Sequence, residues 1–385
     1  MLIVCHYNEI ALKGKNRNFF EGVLMENIVK KIEKEISSEA VEYIKKISGR
    51  IIVKIKDGFK EEDFFILRDV FGLSHFSFAE ELEQDLEKIK KVSWEIIKEE
   101  KFETFRISTS RSEKNLPLKS EEINREIGGY VLEKSGKKVQ LKNADIEVFI
   151  EMVNKKAFVF AKKIEAVGGM PVSASGKALV LMSGGIDSPV AAYYALKRGV
   201  QTDYIHFHSL PYTSAASNDK VIELVKKLRK FQNKGKIFMV PLAPIQKEIV
   251  MKCPEKFRIL LYRRMMVRIA QEIAKRAKYK ALYTGESVAQ VASQTLENIA
   301  IVNEVAEIPI LRPLIGFDKA DIIKKAREIG TYEISILPHE DCCTRFMPKK
   351  PETKGKIAEV LKAEGSLEIE KLVGEVLGEV EVVKV

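Results

Sequence analysis

Two hydrophobic rhythms interleave in the first half of the chain. Residues 2–7 form a short apolar run that predicts a strand, and residues 16–34 place Phe19, Val23, Ile28 and Ile32 on one side of a helix. Residues 41–47 and 51–56 then alternate as strands around the turn Ser48-Gly49-Arg50. Beyond Phe64 the pattern predicts a helix over 85–99, a strand over 104–110, a helix over 121–134 opened by Ser120, and a hairpin over 146–164 turning at Asn154-Lys155. Two small mixed α/β units follow from this.

The second half keeps a different beat. Small residues, Val167-Gly168-Gly169-Met170-Pro171 and Ser173-Ala174-Ser175-Gly176, mark a boundary, after which strands at 178–182, 202–208, 236–240 and 280–284 alternate with helices at 189–198, 217–230 and 258–277. Alternation of this kind predicts a mostly parallel, doubly wound α/β sheet, whose ligands sit outside the carboxyl ends of the strands. The tail 366–385 alternates apolar and acidic residues and reads as a helix or a strand.

At 385 residues, the chain is long enough for two or three domains with real cores. Its 45% hydrophobic and 31% charged content fits a water-exposed globular protein, and no apolar run is long enough to span a bilayer, so no membrane role is expected. The start, Met1-Leu2-Ile3-Val4-Cys5-His6, lacks the pattern of a secretory signal. Four cysteines, Cys5, Cys253, Cys342 and Cys343, suit neither a disulfide framework nor a zinc site, which points to the reducing cytoplasm. The net charge of +10 suits a polyanionic partner. Basic excess lies at the two ends; residues 61–170 are slightly acidic, so a nucleic-acid contact there needs a local patch. A Lys- and Glu-rich surface fits thermal adaptation equally well.

The chemistry concentrates in Leu179-Val180-Leu181-Met182-Ser183-Gly184-Gly185-Ile186-Asp187-Ser188-Pro189, a strand that breaks into a loop and resumes as a helix. Gly184 and Gly185 permit close backbone approach or positive φ, and the helix start offers unpaired N–H groups to an anion. No Gly-Lys-Ser/Thr ending follows, so a kinase or GTPase loop is disfavoured. Three other stretches lie where such a sheet builds its site. "DYIHFHS" (203–209) closes the second strand, where backbone groups of His206 and Phe207 could face an adenine, while the rings of His206 and His208 read as packed core. "LYRRMM" (261–266) sets Arg263 and Arg264 in an apolar helix, and a guanidinium fork suits phosphate. "YTGESVAQVASQTLENI" (283–299) turns at Gly285 into a polar stretch with Gln290, Ser293 and Gln294.

Together "SGGIDSP", "TGESVAQVASQTLENI", "LRPLIGFDKADI" (311–322) and the N-terminal "EIALKGKNRNFF" (9–20) closely resemble the tRNA 4-thiouridine synthetases, the ThiI tRNA sulfurtransferases. One departure is His6-Tyr7-Asn8, where that family more usually has Tyr-Gly ahead of the Glu. The resemblance implies a ferredoxin-like domain over 1–58, a THUMP RNA-binding domain over 59–166, a linker over 167–177 and a pyrophosphate-loop, adenylating domain over 178–385. It places ATP, carried with Mg²⁺, against Leu181, Met182, His206, Phe207, Arg263, Gly285 and Gln294, with Ser183, Gly184, Gly185, Asp187 and Ser188 holding the pyrophosphate and Asp187 catalytic.

The implied reaction adenylates O4 of a tRNA uridine, expected at position 8 of the tRNA, and replaces it with sulfur, releasing pyrophosphate and AMP. Many relatives continue into a rhodanese domain; a chain ending at Val385 is too short for one, so sulfur is expected from a cysteine desulfurase, a sulfur carrier protein or free sulfide. Cys342, in "PHEDCCTRFMPKKP", aligns with the cysteine the family uses in sulfur transfer. Candidate tRNA contacts are Lys13, Lys15, Arg17, Arg106, Arg111, Lys114 and Lys119. Two rivals stay open: a pyrophosphate-loop ligase acting on a small molecule, and an RNA-binding protein without catalysis. The sequence leaves open a second role in thiazole synthesis for thiamine, and a homodimer.

Overall fold

The computed structural model describes residues 1–112, 119–338 and 346–385, in two compact units, Met1–Pro171 and Val172–Val385. Lys114, Cys342 and Cys343 lie outside the described residues.

The first unit runs through β1 (Leu2–His6), α1 (Arg17–Glu35), β2 (Val41–Ile47), β3 (Arg50–Ile55) and β4 (His75–Phe78). It continues with β5 (Glu80–Glu83), α2 (Leu86–Glu95), β6 (Thr104–Arg111), α3 (Ser120–Ser135), β7 (Lys138–Val139), β8 (Ile146–Val153), β9 (Lys156–Phe160) and β10 (Ile164–Glu165). One sheet has the order β10-β4-β1-β3-β2 and is antiparallel at every pairing. It does not stop at residue 58. Ile3, Val4 and Cys5 of β1 are buried, and β1 takes β3 on one edge and β4, from beyond that point, on the other. On α1 the buried stripe is Leu24, Ile28 and Ile32, one residue per turn, whereas Phe19, expected on that face, is 57% exposed.

The other sheet of this unit has the order β5-β9-β8-β6-β7. β6 and β8 pair in parallel, which requires a crossover, and α3 supplies it. Ile123, Ile127 and Val131 of α3 join Ile89 of α2 over Phe105, Val148 and Ile150 of the sheet. The β8–β9 hairpin turns at Asn154 and Lys155, both at positive φ (50° and 62°), as a two-residue turn that follows the strand twist demands.

The second unit contains β11 (Lys177–Leu181), α4 (Asp187–Lys197), β12 (Gln201–His208), α5 (Ala216–Leu228), β13 (Lys236–Pro241), α6 (Ala243–Lys252), α7 (Arg258–Ala277) and β14 (Leu282–Tyr283). After them come α8 (Leu296–Asn303), β15 (Ile310–Leu311), α9 (Lys319–Ile329), α10 (Tyr332–Ser335), α11 (Ile357–Glu364), α12 (Ile369–Gly378) and β16 (Glu381–Lys384). The sheet order is β15-β14-β11-β12-β13-β16, parallel except for β16, which closes one edge antiparallel to β13. The tail is thus helix and then strand. Apolar strands suit a parallel sheet covered on both faces; Leu179, Val180, Tyr204, Ile205 and Val240 are fully buried.

The chain winds outward from β11 through β12 to β13, then returns to the other edge of β11 as β14. That reversal opens a crevice at the carboxyl ends of β11 and β14, where doubly wound sheets bind ligands.

Candidate functional site

At the end of β11 the chain turns through Ser183–Ile186 into α4. Ser188 folds this loop onto itself: its Oγ accepts the Ser183 N–H at 3.0 Å and lies 3.2 Å from Ser183 Oγ. Gly185 N–H donates to Ser183 Oγ at 3.3 Å, and Ser335 at the end of α10 donates to the Gly185 carbonyl at 3.4 Å. Neither Gly184 nor Gly185 adopts a positive φ, so that part of the expectation is not met. The tight position is Gly285. A Cβ built there would stand 2.8 Å from both the Asp187 carbonyl carbon and the Ser188 nitrogen. Only glycine lets the β14 end lie against the first turn of α4.

A cavity of about 380 Å³ fills the crevice. Its walls bring together Leu181, Met182, Ser183, Gly185, Asp187, Ser188, His206, Phe207, Arg263, Gly285 and Gln294 from four separate stretches of sequence. Gly184, though in the same loop, is not among the lining residues, and neither is His208. The buried His206 ring donates through Nδ1 to the Met182 carbonyl at 2.9 Å, which leaves Nε2 as the acceptor facing Ser217 Oγ at 3.5 Å. This ring fixes the strand end and is spent doing so, in line with a packed residue.

Asp187 opens α4 and faces two partners that sequence reading left without a role. Gln290 Nε2 donates to its Oδ2 at 2.8 Å, and Lys319 at the start of α9 forms an ion pair with its Oδ1. Glu286 was also unassigned. Its buried carboxylate accepts from Arg263 Nη1, from Arg312 Nε at 2.6 Å and from Thr284 Oγ1 at 3.0 Å. Burial pushes its pKa up, but Arg263 and Arg312 outweigh that and hold it below the usual carboxylate range. Arg264, the neighbour of Arg263, is fully buried on a different face of α7: Nε and Nη2 meet Glu364 at 3.0 and 2.7 Å, and Nη1 donates to the Ile301 carbonyl at 2.6 Å. It is a core ion pair rather than a ligand arm. Glu286, Arg312 and Lys319 sit inside stretches that carry the resemblance; what the sequence lacks is any sign that residues up to 132 positions apart would meet.

Two cysteines are described, and neither supplies a thiolate. Burial pushes the Cys5 thiol up to about 12, and burial likewise raises Cys253, whose Sγ lies against the Ala363 carbonyl at 3.4 Å.

The candidate tRNA contacts lie in the first unit in different settings. Lys15 is exposed, and Lys13 Nζ sits 5.1 Å from the centre of the Phe20 ring. The Arg17 guanidinium is committed to Glu21 at 2.9 Å and to the Tyr7 hydroxyl at 2.7 Å, which leaves it less free for phosphate than its exposed neighbours. Arg106 is 43% exposed and 3.6 Å from Glu147, Arg111 donates to Ser120 Oγ at 3.2 Å, and Lys119 is exposed just before α3.

The family model for the thiamine biosynthesis protein ThiI matches residues 173–369, the THUMP domain model residues 80–162, and the ThiI ferredoxin-like domain model residues 2–77. A probable tRNA sulfurtransferase of Alkaliphilus metalliredigens is 41% identical, with 100% of this chain and 98% of that protein covered. One from Clostridium kluyveri is 44% identical, covering 99% and 98%. A 4-thiouridine synthetase solved with RNA and bound ATP superposes with a TM-score of 0.90 at 36% identity, covering 100% of this chain and 99% of the other. Similarity of this extent runs through all three modules, and the chain belongs to the ThiI family of tRNA sulfurtransferases.

Proposed function

We propose that this protein is an ATP-dependent tRNA sulfurtransferase that converts a tRNA uridine to 4-thiouridine. The supporting observation is one cavity that joins an apolar wall, a backbone loop at a helix start and a pair of arginines. Leu181, Met182 and Phe207 would receive the adenine, and the amides of Ser183–Ser188 with the first turn of α4 would receive the pyrophosphate.

Uridine O4 is a poor leaving group, so direct sulfur replacement is slow. Attack of O4 on the α-phosphorus forms an O4–P bond and expels pyrophosphate, whose charge the loop amides and Lys319 would stabilise. Sulfur then attacks C4, and the C4–O4 bond breaks as AMP leaves. Among the described residues no cluster of three His, Cys, Asp or Glu side chains could hold a metal alone, but a Mg²⁺ bound to ATP phosphates needs only one or two carboxylates. Glu286 is tied to two arginines, whereas Asp187 faces one cation, Lys319, and one neutral amide, Gln290, so Asp187 would hold the ion in exchange for those partners, releasing Lys319 toward the phosphates, and the ion would neutralise charge on the departing pyrophosphate.

RNA would be held by the first unit, through phosphate contacts that weaken steeply with salt. No helix among the described residues is long and apolar enough to cross a membrane, and the reducing cytoplasm, where tRNA resides, is the proposed setting. Sulfur would come from a desulfurase or carrier protein as a persulfide. Its terminal sulfur bonds to C4, and the Cys342 thiolate then breaks the S–S bond, forming a disulfide with the donor that a cellular thiol reduces.

Pyrophosphate release tests the reading: it should require tRNA, and release that is indifferent to tRNA would overturn it. In the same assay Cys342→Ser keeps pyrophosphate release but makes no 4-thiouridine with desulfurase and cysteine, while Cys343→Ser is milder. Excess sulfide bypasses the loss. Wild-type product from Cys342→Ser with the protein donor would remove Cys342 from the sulfur-transfer step.

A further inference from the structure

Three groups in the cavity wall are bound to one another in a way that adenine and pyrophosphate contacts alone do not explain. Arg263 on α7 and Arg312 after β15 come from separate elements to the same carboxylate, Glu286. Arg263 donates to one oxygen, and Arg312 with Thr284 to the other. Three donors, two of them cationic, thus converge on the carboxylate and its two arginines hold it ionised, which suits it to fix the arginines rather than to take up a proton or a metal ion. The arginines are not saturated. Arg312 spends Nε on Glu286 and Nη1 on Asn303 Oδ1 at 3.2 Å, while its Nη2 is buried with no hydrogen-bond partner. A buried guanidinium donor left unpaired is costly, and the acceptor that would satisfy it is an anionic oxygen entering the cavity.

Chain neighbours say which oxygen. Arg263 lies one turn before Met266 and Val267, and Arg312 two residues after Ile310, all in the apolar wall. Glu286 follows Gly285, which lies so close to the loop-to-α4 junction that a Cβ there would stand 2.8 Å from Asp187 and Ser188 backbone atoms. The arginine pair thus stands at the border between the base wall and the phosphate loop, where the first phosphate of a bound nucleotide must lie.

On the reading of this cavity as the ATP site, we infer that Glu286 is a positioning residue that holds Arg263 and Arg312 as a two-arginine clamp on the α-phosphate, in ATP and again in the adenylated tRNA uridine. The clamp is set before the nucleotide arrives, so no reorganisation is needed when negative charge builds at the phosphorus. Its net charge stays at one positive unit, because the carboxylate cancels one guanidinium.

Calorimetric titration of the full chain with AMP and, separately, with adenosine isolates the phosphate. The wild-type protein should bind AMP more tightly than adenosine. Glu286→Gln, which cannot accept on both sides, and Arg312→Lys, which loses the planar fork, should each weaken AMP about tenfold and leave adenosine unchanged. Added guanidinium should restore AMP binding to Arg312→Ala. An undiminished preference for AMP in both variants overturns the clamp, as does a parallel loss of AMP and adenosine, which marks a merely structural network. Failure of the wild-type protein to bind either probe overturns the nucleotide reading itself.

Discussion

Asp187→Ala should lower tRNA-dependent pyrophosphate release by about 10²–10³-fold, the range seen when one preorganised electrostatic group is removed from a reacting centre. Asp187 stands at the start of α4 between Gln290 and Lys319, so its removal frees the lysine from its ion pair and takes away the carboxylate best placed for a phosphate-bound cation. tRNA binding should hardly change, because the candidate RNA-contacting residues belong to Met1–Pro171 and Asp187 to Val172–Val385. Pyrophosphate release measured beside a filter-binding titration checks both halves. Equal loss of the two would count against the division of labour.

Gly285→Ala should be nearly as damaging, for a steric reason. The new methyl would lie 2.8 Å from backbone atoms of both Asp187 and Ser188, where no rotamer can relieve it. Either β14 or the first turn of α4 must move. Forced overpacking costs about 1–3 kcal/mol of stability, and a displacement of about 1 Å at a reacting site costs about 10²-fold in rate. Gly185→Ala is the control for folding: its methyl would meet Ser183 Oγ at an ordinary 3.5 Å, so its thermal midpoint should stay near that of the wild type. Thermal melts of the two variants, with ATP titrations of Gly285→Ala, make the comparison. Wild-type ATP affinity in Gly285→Ala would show that the close approach does not govern the site.

The elements that define the site were legible because their signals are local. An apolar run, a Ser-Gly-Gly break and a helical pattern place β11, the loop and α4, and the apolar spacing over 258–277 gives α7 end to end. The Asn154-Lys155 turn was equally plain. What the sequence hid was long-range pairing. That Glu286 would gather Arg263 and Arg312, or Asp187 meet Lys319, depends on β14 returning beside β11 and β15 beside β14, which no window of sequence contains. The same applies to β4 and β10 completing the first sheet. Charge was misleading where burial decides its use: Arg264 looks like Arg263 in sequence, yet it faces Glu364 in the core. Arg17, read as a phosphate contact, is largely occupied by Tyr7 and Glu21.

The most direct test of the central claim is mass spectrometry of nucleosides from unmodified tRNA incubated with the protein, ATP and sulfide. The account predicts 4-thiouridine that appears only with ATP, with AMP and pyrophosphate formed in step with it. ATP converted to AMP and pyrophosphate while the tRNA nucleosides stay unchanged would contradict it, because the adenylated acceptor would then not be the tRNA.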